Sequence, residues 1–180
     1  MRPAELFRHC PRCAAPRPDT GGVPVTCDAC GLCLFLNPAV AAAAFVSGPA
    51  GVLFLRRAHD PERGKLACPG GFLDPGETAE DGLRRETLEE VGVAIDHIEY
   101  VGSRPNLYPY RGVDYPVLDL VFRATAVDPD TARPLDGAAG IEWRDLAGVD
   151  PAELAFESLR FGLAALRGSV PASGGRESPK

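Results

Sequence analysis

The sequence predicts an α/β domain with a mixed sheet and helices on its faces, preceded by a small cysteine-rich unit. After residue 37, short apolar runs typical of strands alternate with two segments of helical pattern. Residues 1–36 instead lack periodicity and are rich in proline, glycine and cysteine, so they cannot bury much apolar surface unless something cross-links them. We expect residues 37–168 to form the main domain and residues 169–180 to be disordered.

Length and charge narrow the classes of function. A chain of 180 residues is enough for one compact domain with a small appendage. Its longest apolar stretch, residues 38–46, is too short to cross a membrane, and its N-terminus does not resemble a secretory signal, so we expect a cytoplasmic protein. A net charge of −6 disfavours nucleic acid as a partner. An acidic protein that handles phosphates usually needs cations between itself and its substrate.

The secondary structure of the main domain can be predicted from apolar patterns and turn residues. The last predicted helix begins at a capping box, Asp150 to Glu153, with proline at its first position. Residues 16–22, 47–51 and 69–71 are predicted turns, and 57–65, 104–115 and 128–140 are predicted loops. The predicted strands are 40–46, 52–56, 98–103, 117–126 and 141–144, and the predicted helices are 79–91 and 150–167.

The first predicted helix carries glutamates where a core-facing helix should be apolar. At 100° per residue, Ala79, Leu83, Thr87 and Val91 form the buried stripe, and Glu90 falls within it. Glu86 and Glu89 lie along the edge of the stripe, so three carboxylates repel one another beside a core. A hard divalent cation would compensate for this repulsion. The alternative is a solvated acidic face neutralised by Arg84 and Arg85, which the position of Glu90 disfavours.

These residues match a known motif, G-x5-E-x7-R-E-U-x-E-E-x-G-U, where U is apolar. Only Thr87 departs from it, at one of the apolar positions. The chain thus resembles the Nudix hydrolases. The resemblance implies an α/β/α sandwich with a mixed sheet and a loop–helix–loop catalytic element. The matching residues are Gly71, Glu77, Arg85, Glu86, Glu89, Glu90, Gly92 and Val93.

The resemblance also implies how the motif works. Glu86, Glu89 and Glu90 would bind Mg²⁺ or Mn²⁺, joined by the carbonyl of Gly70 or Gly71, and Glu77 and Arg85 would pair and orient the carboxylates. The metal would neutralise charge on two phosphates and activate a water molecule. The general base would be a glutamate of the motif or an acid in a later loop, for which Asp136 and Glu142 are the candidates.

Cysteines dominate the N-terminal unit. Two C-x2-C pairs, Cys10 with Cys13 and Cys27 with Cys30, have the ligand set of a tetrahedral Zn²⁺ site, although incidental cysteines in a loop are the alternative. Cys33 and Cys68 are extra, and each is a packing residue or a reactive thiol. Together with residues 35–38, the unit resembles the front end of the zinc-ribbon Nudix proteins, a group that includes the NADH pyrophosphatases. Such a ribbon would stabilise the fold or form a homodimer, and its few basic residues disfavour a grip on nucleic acid.

The segment after the motif bears on the substrate. Residues 103–109 are similar to S-Q-P-W-P-F-P of the NADH pyrophosphatases: Ser103, Pro105, Tyr108 and Pro109 correspond, whereas Arg104, Asn106 and Leu107 do not. Tyr108, Tyr110 and Tyr115 could stack on a base, and Arg104 or Arg111 could contact a phosphate or a ribose hydroxyl. The alternative is a rigid loop with surface tyrosines.

Together these features favour a substrate of the NAD(H) or ADP-ribose type, a nucleoside diphosphate linked to another group. A house-cleaning nucleoside triphosphate hydrolase is the alternative among enzymes. A non-catalytic nucleotide sensor or a nucleic-acid-binding Nudix protein is the alternative outside them, and the intact motif argues against a sensor.

Overall fold

A computed structural model describes residues 1–17 and 22–168 of the chain. The predicted disorder of residues 169–180 lies outside this range, as does part of the predicted turn at 16–22. Neither described α-helix is long and apolar enough to span a membrane. The strands are β1 (Val25–Thr26), β2 (Cys33–Leu34), β3 (Ala39–Gly48), β4 (Gly51–Arg57), β5 (Leu66–Ala67), β6 (Gly70–Phe72), β7 (Ile95–Tyr110), β8 (Val113–Ala126) and β9 (Ala138–Arg144), and the α-helices are α1 (Ala79–Val91) and α2 (Glu157–Leu166).

The main sheet is mixed, as the sequence predicted. Its central order is β5-β4-β3-β8-β7, with β6 paired to β3 and β9 paired to β4. Strands β3 and β8 run parallel from Ala39 opposite Val117 to Ser47 opposite Thr125, and the other pairs are antiparallel. Strands β1 and β2 form a separate two-stranded sheet in the cysteine-rich N-terminal unit.

The two α-helices cover opposite faces of the main sheet. Gly71 pairs with Ala42 of β3 and faces α1, because a Cβ atom built on Gly71 would lie 2.6 Å from the Glu86 carboxyl carbon. Gly162 of α2 packs on the other face, where its Cβ would lie 2.6 Å from the Phe45 ring. Residues 42 and 45 of one strand point to opposite faces. The layers are therefore helix, sheet and helix, as the resemblance implied.

The predicted loop 104–115 was wrong, because β7 continues to Tyr110 and β8 already begins at Val113. The hairpin turns at Arg111 and Gly112, whose positive φ values of 48° and 81° suit a tight turn between twisted strands. The prolines are tolerated because, among the described strands, β7 pairs only with β8 and lies at the edge of the sheet. Pro116 precedes Val117, where the pairing of β8 with β3 begins.

The predicted helix 150–167 was wrong in its first half. The capping box at Asp150 is present, but it caps a 3-10 turn, Pro151–Glu153, and α2 starts only at Glu157. Between them the chain joins the edge of the sheet, where the Ala155 N–H donates to the Leu66 carbonyl at 2.9 Å. The predicted turn at 69–71 likewise belongs in part to a strand, β6.

Candidate active site

Helix α1 has the predicted bounds because its caps and its buried stripe are both local in sequence. The Thr78 side chain accepts a hydrogen bond from the Asp81 N–H at 3.1 Å, and Gly92 ends the helix with φ 69°. The stripe of Leu83, Thr87 and Val91 is buried. The Thr87 hydroxyl donates to the Leu83 carbonyl at 2.8 Å, so threonine is satisfied at this apolar position of the motif.

Glu90 lies at the C-terminal end of α1 against strand β6. Its carboxylate accepts a hydrogen bond from the Gly70 N–H at 2.9 Å. The pKa of Glu90 is raised to about 8, mainly by burial and also by the nearby charges of Glu86 and Asp136, while the Gly70 N–H and Arg57 partly oppose this rise. This carboxyl group is thus costly to ionise unless a cation joins it.

Glu86 is packed under the glycine pair that precedes the helix. A Cβ atom on Gly71 would lie 2.6–2.7 Å from the carboxyl atoms of Glu86, so any side chain at position 71 would displace this carboxylate. Gly70 has φ 142°, and a Cβ atom on it would lie 2.1 Å from the Ala42 carbonyl oxygen. Burial raises the pKa of Glu86, partly offset by Arg85. Backbone and carboxylates therefore approach each other closely at this point.

Arg85 is the hub of the remaining carboxylates. Its guanidinium binds Glu77 through two hydrogen bonds, from Nε at 2.7 Å and from Nη2 at 2.9 Å. It also contacts Glu86 at 2.9 Å, Glu89 at 3.2 Å and the Phe72 carbonyl at 3.2 Å. The hydrogen bonds from Arg85 lower the pKa of Glu77 to about 2. Arg85 thus fixes the loop before α1 to the helix.

The three glutamates proposed as metal ligands are close in space but do not form a closed cage. Glu89 points outward, with its side chain 54% exposed, and pairs with Arg85. In the described part of the chain, the only group of three or more potential ligand atoms within 4.8 Å of one another is a cysteine cluster. Because like charges repel, a cation would be needed to bring the three carboxylates close together.

A cavity of about 190 Å³ opens beside Glu90, on the α2 face of the sheet. Three aromatic side chains, Phe72, Tyr108 and Phe156, line the cavity. The ring centroids of Phe72 and Tyr108 lie 5.5 Å apart, and those of Tyr108 and Phe156 lie 6.3 Å apart. Arg57 stacks over the Phe156 ring at 5.0 Å. Small and aliphatic side chains form most of the floor. The polar lining residues are Glu90, Arg57, Asn106, Asp119 and Ser158.

Only Tyr108 of the predicted substrate-binding residues lines this cavity. Arg104 stacks on the Phe161 ring at 3.5 Å, and Ser103 lies within β7. Tyr110 contacts the Tyr108 ring, and Arg111 lies over the Tyr110 ring at 5.2 Å. The hairpin thus carries all but one of the predicted residues away from the cavity.

Sequence reasoning missed several residues of the cavity. They come from separate segments of the chain, and only one of them, Asp119, could have been identified from the sequence pattern. Asp119 interrupts the apolar run of β8 at a position whose neighbours on the same face, Val117 and Val121, are buried. An inward-facing carboxylate in such a run marks a site. The missed residues are Arg57, Phe72, Asn106, Asp119, Phe156 and Ser158.

The two candidates for a later acid differ in position. Asp136 is near enough to Glu90 to raise its pKa, and the next residue, Gly137, would place a Cβ atom 3.7 Å from Glu90 Oε1. Glu142 is on β9, where it pairs with Arg56 and with Arg144. Of the two candidates, Asp136 is therefore the acid that lies beside Glu90.

The four paired cysteines gather in the N-terminal unit. Their sulfur atoms all lie within 4.8 Å of one another, with Cys10 and Cys27 buried, and could hold a metal ion. Each pair sits in a tight turn, closed by the Ala14 N–H to the Cys10 carbonyl at 2.9 Å and the Gly31 N–H to the Cys27 carbonyl at 2.8 Å. This geometry suits a tetrahedral thiolate site.

The other two cysteines behave differently from each other. Cys33 is exposed on β2, so it does not pack in a core. Cys68 is buried, and burial raises the pKa of its thiol well above the usual value. Since the thiolate is the reactive form, Cys68 is a packing residue.

Curated relatives share parts of this chain. The "ADP-ribose pyrophosphatase" of Methanocaldococcus jannaschii is 40% identical over 126 residues, which cover 69% of this chain and 70% of that protein. The human "NAD-capped RNA hydrolase NUDT12" is 50% identical over 42 residues, 23% of this chain and 9% of that protein. The chain therefore matches only a small part of the length of this second relative.

The fold is shared with solved structures. The crystal structure of a NUDIX hydrolase from Nitrosomonas europaea aligns with a TM-score of 0.65 at 24% identity, covering 92% of this chain and 96% of that one. The model of the NUDIX domain family matches residues 37–163, which include the whole motif from Gly71 to Val93. The chain therefore belongs to the NUDIX hydrolase family.

Proposed function

We propose that this protein is a divalent-metal-dependent pyrophosphohydrolase whose substrate is a nucleoside diphosphate linked to another group. The observation that carries the proposal is one juxtaposition. The carboxylate-bearing face of α1 meets the Gly70–Gly71 strand at one end of a cavity whose walls are aromatic. A base can stack in such a cavity while its phosphates reach the carboxylates.

The residues present suit Mg²⁺ or Mn²⁺. Glu86 and Glu90 offer hard carboxylate oxygens, and the raised pKa of Glu90 marks a carboxyl group that lacks sufficient positive charge. Glu86, Glu89 and Glu90, with the Gly71 carbonyl, would hold the ion. When bound, the ion would neutralise phosphate charge and lower the pKa of a coordinated water.

The chain's own side chains bind and orient around that site. Arg85 holds Glu77 and Glu86 in place, and the Gly70 N–H orients Glu90. The guanidinium of Arg57 flanks the cavity near Glu90 and would contact a phosphate. Asp136, beside Glu90, would accept the proton of the attacking water as general base.

The names of the relatives favour a substrate of the ADP-ribose or NAD(H) type. The Methanocaldococcus jannaschii relative, which matches 69% of this chain, is named for ADP-ribose, and NUDT12 is named for NAD-capped RNA. The cavity agrees with such a substrate, because its aromatic walls suit one nucleoside and leave the second half of the molecule outside. Nucleoside triphosphates are the competing substrates, to be distinguished by experiment.

We also propose that the four cysteines bind a structural Zn²⁺. Within its described residues, the unit of residues 1–36 has few buried apolar side chains, and its two C-x2-C turns bring four thiols together. Zinc would supply the cross-link that holds these two turns to each other in place of an apolar core.

The test is a substrate panel with product chromatography in Mg²⁺ or Mn²⁺. It includes ADP-ribose, NAD⁺, NADH, diadenosine polyphosphates, nucleoside triphosphates and capped RNA. We expect two monophosphate-bearing products from ADP-ribose or NAD(H). Release of pyrophosphate from triphosphates at a higher kcat/KM would overturn the substrate assignment.

Glutamate variants test the catalytic site. Glu89→Gln and Glu90→Gln should lower kcat by orders of magnitude without unfolding the protein. Glu99→Gln is the matched control, since Glu99 is exposed on β7 and pairs with Arg123. Full activity of either helix variant, or of the wild type in excess EDTA, would contradict the metal-dependent mechanism.

A further inference from the structure

A polar cluster lies on the wall of the cavity that β7, β8 and α2 form together. It consists of Asp119 on β8, Asn106 on β7 and Ser158 in the first turn of α2, all of which line the cavity. On β8 the two neighbours of Asp119 on the same face, Val117 and Val121, are buried valines. The carboxylate thus occupies a position that packing alone would give to an aliphatic side chain.

One oxygen of Asp119 is bound and the other is available. Oδ2 accepts hydrogen bonds from the Ser158 hydroxyl at 2.6 Å and from the Asn106 amide at 2.9 Å. No described residue donates to Oδ1. Every buried side-chain oxygen among the described residues has a hydrogen-bond partner, so Oδ1, which has none, is accessible to solvent. Burial raises the pKa of Asp119, and its two donors oppose this effect. The two donors therefore hold the carboxylate rigidly while Oδ1 remains free to accept.

The amide of Asn106 is fixed in the same way. Its Oδ1 accepts the Leu107 N–H at 2.8 Å, which orients the amide so that its nitrogen points to Asp119. Nδ2 carries two hydrogens, and Asp119 takes one of them. The second hydrogen has no acceptor among the described residues. The cluster therefore presents an acceptor next to a donor, which is the complement of a base edge with an N–H beside a ring nitrogen.

The register of the sheet gives the distance from this cluster to the carboxylate site. Asp119 pairs with Ala41 of β3, and Gly70, which binds Glu90, pairs with Ala43. Along β3, the two positions are therefore two residues apart. Across the sheet, Asp119 lies one strand to one side of β3 and Gly70 lies one strand to the other side. At about 3.3 Å per residue and about 4.8 Å per strand, Asp119 and Gly70 are about 12 Å apart. That distance is close to the span of a nucleoside monophosphate from its phosphate to the far edge of its base.

We propose that Asp119 determines base specificity, with Oδ1 accepting a hydrogen bond from an N–H group on the base of the bound nucleotide and Asn106 donating to the adjacent ring nitrogen. Adenine presents this pair in its amino group and N1. Tyr108 and Phe156 line the same cavity and would contact the face of the ring. The proposal rests on the proposed function for its substrate, but it concerns binding rather than hydrolysis.

The test is therefore a binding measurement, which a failure of catalysis would not affect. Calorimetry compares AMP with purine riboside 5′-monophosphate, which lacks only the amino group. We expect the wild type to bind AMP at least about tenfold more tightly, because a hydrogen bond to a charged group contributes about 1.5–3 kcal/mol. Equal affinity for the two nucleotides, or binding of neither, would overturn the proposal.

Variants separate recognition from packing. Asp119→Leu should bind the two nucleotides equally, whereas Asp119→Asn, which keeps an acceptor, should retain part of the preference. Asp114→Leu is the matched control, because Asp114 lies on the same strand but pairs with the N-terminal ammonium group. An unchanged ratio in Asp119→Leu, or an equal loss of both affinities, would assign Asp119 a structural role only.

Discussion

In the absence of divalent cations, the free energy of unfolding of the wild type should fall as the pH rises. Replacing Glu90 with glutamine should remove this fall. The Glu90 carboxyl is buried, which raises its pKa from 4.5 to about 8. Between these pH values the folded protein holds a proton that the unfolded chain has lost. The unfolded state thus binds fewer protons, and the free energy of unfolding falls with rising pH. A glutamine side chain does not titrate, so the Glu90→Gln variant escapes this decline.

The magnitude follows from the same two pKa values. The interval from 4.5 to about 8, at about 1.4 kcal/mol per pH unit, gives at most about 5 kcal/mol. The two proteins should be equally stable near pH 4.5, and the variant should be more stable by this amount above pH 8. At about 2–4 °C per kcal/mol, the unfolding midpoints should differ by about 10–20 °C at high pH.

Thermal unfolding in EDTA from pH 4.5 to 9 measures the difference. Glu89→Gln is the matched control on the same helix, since the Glu89 side chain is 54% exposed and its loss of charge removes no buried carboxylate. Adding Mg²⁺ should raise the midpoint of the wild type and leave that of Glu90→Gln nearly unchanged, because only the former has the full ligand set. Parallel curves for the wild type and Glu90→Gln across this pH range would refute the reasoning.

Three further variants test other parts of the site. Cys30→Ser should lose bound metal in elemental analysis and expose the N-terminal unit to protease, while Cys33→Ser keeps its metal; full metal content in the former would contradict a four-cysteine site. Gly71→Ala would place a methyl group 2.6 Å from the Glu86 carboxyl carbon, so kcat should fall at least about tenfold with a folded protein, and unchanged turnover would argue against this close approach. Tyr108→Leu should raise KM for the nucleotide substrate about tenfold with little change in kcat, as expected for lost stacking; an unchanged KM would place the base elsewhere.

The sequence alone predicted helix α1 to the residue, because everything that defines it is local. Thr78 caps its start, Gly92 permits the left-handed turn at its end, and the apolar stripe has the helical period. The position of Glu90 in that stripe also followed from the period, and the structure places Glu90 partly buried, where the wheel put it. Local rules therefore sufficed for this helix.

The cavity could not be predicted in this way, because its residues meet only through long-range pairing. Arg57 ends β4, Asn106 lies on β7 and Phe156 precedes α2, and no spacing along the chain relates them. The prolines of β7 favour a loop on local grounds, but an edge strand tolerates them. Whether a segment is an edge strand depends on the order of the sheet, which the local sequence does not contain.

Arg85 forms ion pairs with three glutamates of the motif but not with the fourth, Glu90. The guanidinium pairs with Glu77, Glu86 and Glu89, and these contacts join the loop to the helix. Among the described residues, Glu90 hydrogen-bonds only to the Gly70 N–H, and it is the motif glutamate that lines the cavity. Glu86, Glu89 and Glu90 would together hold a divalent cation, which would supply the positive charge that Glu90 lacks. The contacts of Arg85 with Glu77 and Glu86 would anchor the helix in the same way whether or not the exposed Glu89 stays paired with it.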